Sequence, residues 1–222
     1  MTNTPGEGDM SEMDGTTAAI VRSGVVAVLR AASADGFAAV ADVLVGNGIT
    51  AIEVTLTSRG AIDALAGLRR QLPPSAVIGA GTVLTPDQAK ASVDAGAAFL
   101  VSPVVDPAMR QDFGVPFYPG GLSPSEIHQA AQTGAGLVKL FPASAVRPSY
   151  LKDLHGPLPG IRIMPTGGIG LDDITAWLTN GASAVGMGGP LLGDAFTGGD
   201  LGQLAVRARR AAEAVAVARF AE

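Results

Sequence analysis

Lys139 is the one charged residue in the apolar stretch "GLVKLF", residues 136–141. Lysine is rarely buried, because removing its ammonium group from water costs several kcal/mol. The other two lysines, Lys90 and Lys152, lie in helix-like stretches with polar neighbours, where exposure to solvent accounts for both. A buried amine favours its neutral form, which attacks a carbonyl carbon and forms a Schiff base. The sequence therefore predicts that Lys139 is a nucleophile.

Glu53 supplies a carboxylate in a second apolar stretch, "AIEVTL", residues 51–56. Because side chains alternate along a strand, Glu53 and Thr55 share one face of theirs, as Lys139 and Phe141 do in the other stretch. A carboxylate near the amine can move the protons that imine chemistry requires. The alternative is a structural ion pair between Lys139 and Glu53, although desolvation offsets most of the attraction in such pairs.

The elements that must position these two residues alternate regularly along the chain. Short β-branched runs are followed by helical segments, many of which begin with Ser, Thr, Asp or Pro and end in Gly. Such alternation indicates a parallel sheet. Eight runs in 222 residues favour a closed (β/α)8 TIM barrel over an open doubly wound sheet. The predicted strands are residues 25–30, 51–56, 76–81, 97–102, 115–119, 136–141, 161–166 and 182–188.

Composition and the N-terminal stretch bound the remaining possibilities. Residues 1–16 are polar and Gly-rich without an apolar run, so we predict a disordered tail there and a single barrel domain over 17–222. The net charge of −5 gives no electrostatic footprint for nucleic acid or for an anionic membrane surface. The absence of cysteine and the presence of only two histidines argue against a zinc site. We expect a cytoplasmic protein that acts on a small molecule.

Polar residues follow several of the predicted strands. In a TIM barrel the active site lies at the carboxyl ends of the strands. Arg30 ends the first strand, and Thr82 and Pro103 follow the third and fourth. The Arg30 guanidinium is suited to bind a carboxylate, and an ordinary strand-end charge in solvent is the alternative.

Pairs of glycines follow the last two predicted strands. Gly167 and Gly168 lie in "PTGGIG", and Gly188 and Gly189 lie in "VGMGGPL". Phosphate-binding loops recur after the seventh and eighth strands of TIM barrels, because backbone N–H groups there can reach the anion. One glycine pair alone would equally fit a tight turn, but two pairs at the expected places favour a phosphate site.

Seven stretches of the chain occur together and in the same order in one known family. They are "LRA", "IEVTL", "GAGTVLTP", "VSP", "YPGGLSPSE", "VKLFPA" and "MPTGGI". Over residues 24–192 the chain thus resembles the 2-keto-3-deoxy-6-phosphogluconate (KDPG) aldolases, which also act as 4-hydroxy-2-oxoglutarate (KHG) aldolases. The resemblance implies a class I aldolase without cofactor or metal, usually a homotrimer. It would split a 2-keto-3-deoxy sugar acid phosphate into pyruvate and glyceraldehyde 3-phosphate.

The resemblance also implies roles for individual residues. Lys139 would form the Schiff base, Glu53 would act as general acid and base, and Phe141 would pack beside the imine. The matching substrate-binding positions are Thr82 and Pro103 around the pyruvate, and Gly167, Gly168, Gly188 and Gly189 around the phosphate.

Three positions depart from the family pattern. Thr57 stands where many members carry an arginine that grips the pyruvate carboxylate, so Arg30 is the candidate to supply that charge. Gly189 stands where many members carry a serine, which removes one hydroxyl donor to phosphate. Ser144 replaces a glutamate, as in relatives that cleave the galactonate epimer.

These departures leave the substrate open. The first prediction is an aldolase for KDPG or its galactonate epimer. The second is an aldolase for a non-phosphorylated keto acid such as KHG, which yields pyruvate and glyoxylate. The third is a phosphate-binding barrel without aldolase chemistry, and the placement of Lys139 argues against it.

Overall fold

The computed structural model describes residues 13–220, in which short strands alternate with helices. The strands are apolar and buried on both faces, as expected of a parallel sheet that helices cover. They are β1 (Val25–Leu29), β2 (Ala51–Thr55), β3 (Val77–Gly81), β4 (Leu100–Val101), β5 (Phe117–Tyr118), β6 (Gly120–Gly121), β7 (Val138–Leu140), β8 (Ile163–Pro165) and β9 (Val185–Met187).

The helices begin at the residues that the sequence signals indicate. Thr85 caps the fourth helix by accepting a hydrogen bond from the Gln88 N–H, and Pro86 is its first residue. Ser123 and Glu126 form a capping box at the start of the fifth. The helices are α1 (Gly15–Ser23), α2 (Phe37–Gly46), α3 (Ala61–Gln71), α4 (Pro86–Asp94), α5 (Pro124–Ala131), α6 (Tyr150–His155), α7 (Ile174–Thr179), α8 (Gly189–Leu192) and α9 (Leu201–Phe220).

All paired strands run parallel and form two sheets. One has six strands in the order β5-β4-β3-β2-β1-β9, and the other has three in the order β6-β7-β8. The single strand predicted over 115–119 is instead two short strands that flank Pro119. Proline has no N–H to donate to a neighbouring strand, so the ladder is interrupted there.

Isolated bridges join β8 to the segment around β9. Ile163 pairs with Ala182 and Thr166 with Gly186, and the Ser183 N–H donates to the Ile163 carbonyl at 2.9 Å. The result is a curled parallel sheet with helices on its outer side. The predicted α/β class with a parallel sheet is confirmed.

Strand alternation divides the apolar side chains into two layers. Val138 and Leu140 of β7 face outward and belong to the main core between sheet and helices. The inward side chains form a second cluster of Ile20, Val26, Ala51, Phe99, Val101, Tyr118, Leu137, Met164 and Ala184. Lys139 and Glu53 also face inward, as their spacing predicted, and are buried.

Helix α1 covers the amino ends of the strands. Ile20 packs in the inner cluster, and the Thr17 and Tyr118 hydroxyls are 2.8 Å apart. Burial raises the pKa of the Tyr118 hydroxyl well above its usual range, so the group stays protonated. Asp14 caps this helix, which starts at Gly15, inside the stretch predicted as a tail. Residues 1–12 of that predicted tail lie outside the described residues.

Helix α9 ties the last elements to the first. Arg207 donates to the carbonyls of Leu191 and Leu192 in α8, at 2.7 and 2.8 Å. Arg219 donates to the carbonyl of Val21 in α1 at 2.6 Å. Within residues 13–220, no helix combines the length and the apolar character needed to cross a membrane.

Candidate active site

Lys139 and Glu53 meet at the centre of the inner face. Lys139 lies on β7, opposite Gly120 and Met164 of the neighbouring strands. Its Nζ is 3.7 Å from Oε1 of Glu53, and the two side chains are 4% and 0% exposed. That separation is longer than a direct N–H···O hydrogen bond. The two groups are therefore close enough to exchange a proton through one small molecule, and too far apart for a tight ion pair.

Both carboxylate oxygens of Glu53 are buried and lack a hydrogen-bond partner among the described residues. A buried polar group without a partner is costly, and a buried carboxylate especially so. A purely structural carboxylate would be expected to hold its partners directly. Glu53 instead has two acceptors without partners, of which Oε1 lies 3.7 Å from the amine, and this favours a role in proton transfer.

Gly81 makes room for the Glu53 side chain. The register pairs Thr55 with Gly81 and Glu53 with Gly79 on the neighbouring strand β3. A Cβ atom built on Gly81 would overlap the Glu53 carboxylate. In the sequence the "GAG" stretch stands out only as part of the family resemblance, and its role in accommodating Glu53 emerges from the register.

Phe141 also lies near the amine. Nζ of Lys139 lies 5.4 Å from the centre of the Phe141 ring, within range of a cation–π contact. A Cβ atom on Gly167 would stand 3.2 Å from the same ring. Phe141 is therefore near both the lysine and the loop that follows β8.

Arg30 and Thr82 come together at the carboxyl ends of β1 and β3. A guanidinium nitrogen of Arg30 donates to the Thr82 hydroxyl at 3.3 Å. Thr82 has a φ of 60°, which is rare for a β-branched residue and marks a strained backbone. Val28 of β1 pairs with Glu53. Arg30 comes two residues after Val28, so it lies on the same face and roughly 7 Å further in the direction of the carboxyl end of β1.

Pro103 lies against the strand that pairs with the lysine. A Cβ atom on Gly120 would stand 2.7 Å from the Pro103 carbonyl carbon, so only glycine allows this approach. Gly120 is the register partner of Lys139. Pro103 is thus one strand away from the amine, at the end of β4.

The two glycine pairs form adjacent loops. Thr166 bridges to Gly186, which brings the ends of β8 and β9 side by side. Gly167 and Gly168 have φ angles of 97° and 78°. Within residues 13–220 the N–H groups of these two glycines donate to no acceptor, and neither do those of Gly188 and Gly189. Four N–H groups are therefore free to bind an anion at this end of the sheet.

Hydroxyl groups occupy the end of β2, where the sequence placed Thr55 on the face of Glu53 and Thr57 in place of an arginine. Thr57 is exposed, and its hydroxyl contacts that of Thr55 at 3.3 Å. Ser58, which the sequence analysis did not single out, is buried and accepts a hydrogen bond from the Ala31 N–H at 3.1 Å. The dense run of hydroxyls in "TLTS" was the available signal. In the described part of the chain, no group of three or more His, Asp or Glu residues could hold a metal ion.

Comparisons with known proteins relate the chain to one family. A family model for the KDPG and KHG aldolases matches residues 17–204. The chain is similar to the 2-dehydro-3-deoxy-phosphogluconate aldolase of Haemophilus influenzae, with 39% identity over 158 residues, 69% of this chain and 74% of that protein. It is also similar to the probable 2-dehydro-3-deoxy-6-phosphogalactonate aldolase of Rhizobium meliloti, with 32% identity over 195 residues, 86% and 92% of the two chains.

A similar fold occurs in a solved KDPG aldolase from Legionella pneumophila. That crystal structure contains pyruvate captured at low pH as a covalent carbinolamine intermediate. The TM-score is 0.79 at 29% sequence identity, covering 90% of this chain and 98% of the other.

Proposed function

The chain belongs to the KDPG and KHG aldolase family, whose members are carbon–carbon lyases, and we propose that it cleaves a 2-keto-3-deoxy sugar acid phosphate through a Schiff base on Lys139. The products would be pyruvate and glyceraldehyde 3-phosphate. The observation that carries the proposal is the buried pair of Lys139 and Glu53, 3.7 Å apart, in which the carboxylate has no hydrogen-bond partner within residues 13–220.

Lys139 and Glu53 can carry out the steps that form the Schiff base. Neutral Lys139 attacks C2 of the keto acid, and Glu53, acting through a water molecule, assists loss of the carbinolamine oxygen. The protonated imine then accepts the electron pair of the C3–C4 bond, which breaks as the C4 hydroxyl loses its proton. The aldehyde leaves, and the remaining enamine is protonated at C3. Hydrolysis of the imine releases pyruvate and regenerates the amine. None of these steps needs a metal ion or an organic cofactor.

The two ends of the substrate would be held by different groups. Arg30 would bind the carboxylate, with Thr82 and Pro103 lining the pyruvate pocket and Phe141 packing beside the imine. The free N–H groups of the two glycine pairs would bind the phosphate, as in other TIM barrels.

Trapping with pyruvate and sodium borohydride tests the nucleophile. We expect mass spectrometry to find one reduced pyruvate per chain, mapped to Lys139. Lys139→Ala should abolish both the adduct and turnover, whereas Lys152→Ala, at an exposed position of α6, should change neither. An adduct on another residue, or turnover by Lys139→Ala, would contradict the assignment.

A non-phosphorylated keto acid such as KHG is the second candidate substrate. Gly189 favours it, because the loop lacks the serine hydroxyl that many members of the family provide. The ratio of kcat/KM for the phosphorylated and the plain substrate separates the two. Comparing the gluconate and galactonate epimers of the phosphorylated substrate would then identify the preferred configuration at C4.

We further propose that the two sheets form one (β/α)8 barrel, with β5 and β6 as halves of a single strand. The domain would begin at Asp14, the cap of α1, rather than at residue 17 as the sequence predicted. By analogy with the family, the protein would be a cytoplasmic homotrimer of carbohydrate metabolism. Light scattering coupled to gel filtration would measure its mass, and a monomer would contradict the trimer.

A further inference from the structure

Arg30 is held on both sides of its backbone by side chains from the end of β2. The Thr55 hydroxyl donates to the carbonyl of Leu29 at 3.0 Å. The Ser58 hydroxyl accepts from the N–H of Ala31 at 3.1 Å. The residues immediately before and after Arg30 are thus both fixed to the neighbouring strand.

The two hydroxyls are also linked to each other. They are 3.3 Å apart, and Thr55 and Ser58 are 0% and 3% exposed. Each hydroxyl has one proton to donate. If Thr55 donates to Leu29, then Ser58 donates to Thr55 while it accepts from Ala31. This arrangement forms one continuous chain of hydrogen bonds from the Ala31 N–H to the Leu29 carbonyl.

The next part of the loop is held as well, but by backbone groups. Arg59 N–H donates to the carbonyl of Ala32 at 3.3 Å, and Ala34 N–H donates to the carbonyl of Arg59 at 2.9 Å. These contacts fix residues 32–34 without any side chain. Beside Arg30, by contrast, the backbone is joined to the end of β2 through side-chain hydroxyls. Substituting those hydroxyls therefore tests this connection without disturbing the strand ladder.

The Arg30 side chain needs this support because little else holds it. It is exposed, and within residues 13–220 its hydrogen-bond partner is the Thr82 hydroxyl at 3.3 Å. A long, exposed side chain loses much conformational freedom when it binds a ligand. Fixing the backbone on both sides of Arg30 reduces that loss and directs the guanidinium toward Thr82.

We propose that Thr55 and Ser58 are positioning residues that hold Arg30 where its guanidinium binds the carboxylate of the keto acid. Arg30 has to supply the positive charge because Thr57 provides none at the end of β2, and Thr55 and Ser58 hold Arg30 in place for that task. This inference rests on the proposed function, since it requires a keto acid whose carboxylate Arg30 contacts.

The pyruvate concentration needed for half-maximal borohydride trapping on Lys139 tests the proposal. Ser58→Ala and Thr55→Val should each raise it by roughly 3- to 10-fold, the equivalent of one lost hydrogen bond. Thr55→Ser keeps the hydroxyl and should restore a value near that of the wild type. Ser92→Ala is the matched control, because Ser92 is also fully buried but its hydroxyl bonds to Gln88 within α4.

Combining the substitutions with Arg30→Gln separates positioning from a general structural effect. If Ser58 acts through Arg30, Ser58→Ala should cause little further increase once the guanidinium is absent. An equal increase in both backgrounds would overturn the proposal, as would an unchanged concentration for Ser58→Ala and Thr55→Val. Both results leave the aldolase mechanism intact. Failure of the wild-type protein to trap pyruvate would instead contradict the proposed function itself.

Discussion

At the level of single residues, the site depends on two ionisable groups placed where neither is well solvated. Lys139 and Glu53 are almost completely buried, yet their 3.7 Å separation is too long for a direct hydrogen bond. Buried ion pairs contribute little net stability unless their geometry is good and their remaining hydrogen bonds are made. Among the described residues Glu53 makes none of these hydrogen bonds, so the pair is expected to add little stability, which supports the proposed catalytic role.

Glu53→Gln distinguishes a catalytic carboxylate from a structural one. We expect kcat to fall by about 10²- to 10⁴-fold, because the proton shuttle is lost, while pyruvate trapping on Lys139 is partly retained. The temperature of unfolding should stay close to that of the wild type. If the pair were structural, removing one charge would destabilise the fold by about 3–5 kcal/mol. A large drop in thermal stability would therefore contradict the catalytic role.

Gly81→Ala tests the space that the glutamate needs. Because the added methyl group would overlap the Glu53 carboxylate, we expect the carboxylate to move and kcat to fall at least ~10-fold, the size of a displaced acid–base group. Gly67→Ala is the control, since that glycine lies in α3 with open space around it. It should leave activity unchanged and stabilise the protein by up to ~1 kcal/mol. Normal activity in Gly81→Ala would show that the Glu53 carboxylate keeps its working position beside the added methyl group.

At the level of elements, helix caps tie the ends of the helices to the loops around the site. The Glu126 carboxylate accepts hydrogen bonds from the N–H groups of Ser123 and Leu122 at 2.8 and 3.0 Å. It also accepts one from the Ser123 hydroxyl at 2.8 Å. Helix α5 follows β6, whose Gly120 pairs with Lys139. The capping box therefore fixes the helix that directly follows the strand beside the lysine.

The same capping box predicts a pH dependence of stability. The Ser123 and Leu122 N–H groups hold the pKa of Glu126 below its usual value of 4.5. A carboxyl group whose pKa is lower in the folded state adds stability above its unfolded pKa, and that stability is lost as pH falls through the folded pKa. Urea unfolding should thus show the wild type more stable than Glu126→Gln at neutral pH, with the difference shrinking below about pH 4.5.

Glu213→Gln provides the control for this comparison, because it removes one exposed carboxylate from α9 without touching a helix cap. Substituting the cap itself, Ser123→Ala, should lower the free energy of unfolding by about 1 kcal/mol. The assigned role of the carboxylate would be contradicted if the free energies of unfolding of the wild type and Glu126→Gln differed by the same amount at neutral and at acid pH.

At the level of the whole molecule, the sheet is continuous on one side and weakly joined on the other. Strands β1, β2 and β3 share long ladders, whereas β8 meets the β9 segment through isolated bridges. The glycine pairs of the proposed phosphate site follow these weakly joined strands. Since a net charge of −5 attracts no anion, the proposed anionic substrate would have to be bound by local groups, for which the glycine N–H groups and Arg30 are the candidates.

Hydrogen exchange should reveal this unequal joining. The Ser183 N–H donates across the weak junction at 2.9 Å, and the Val77 N–H donates to Thr50 beside the long ladder at 2.8 Å. The two bonds are of similar length, so different protection would reflect local opening rather than bond geometry. We expect Ser183 to exchange faster than Val77 in amide exchange measured by NMR. Equal protection would indicate that the junction opens only with the whole domain.

Substrate binding should then protect the weak junction. A phosphorylated substrate analogue that bridges the two glycine loops would slow exchange at Ser183 more than at Val77, because it joins the elements on both sides. Inorganic phosphate alone provides the simplest probe. Slower exchange at Val77 but not at Ser183 would contradict binding at these loops.

The sequence by itself determined the α/β class, the inward placement of Lys139 and Glu53, and the strand ends that carry Arg30, Thr82 and the glycine pairs. These properties follow from local patterns, since alternation along a strand assigns faces and parallel strands bring their carboxyl ends to one edge. The resemblance to the aldolases rested on the same residues.

The tertiary structure decided what depends on register and on contacts between distant residues. The overlap that a Cβ atom on Gly81 would make with Glu53, and the hydrogen bonds of Thr55 and Ser58 to the backbone on either side of Arg30, require knowing which residues lie opposite one another. Pairing between strands is set by packing of the whole sheet rather than by any one segment. No local pattern could therefore reveal these contacts.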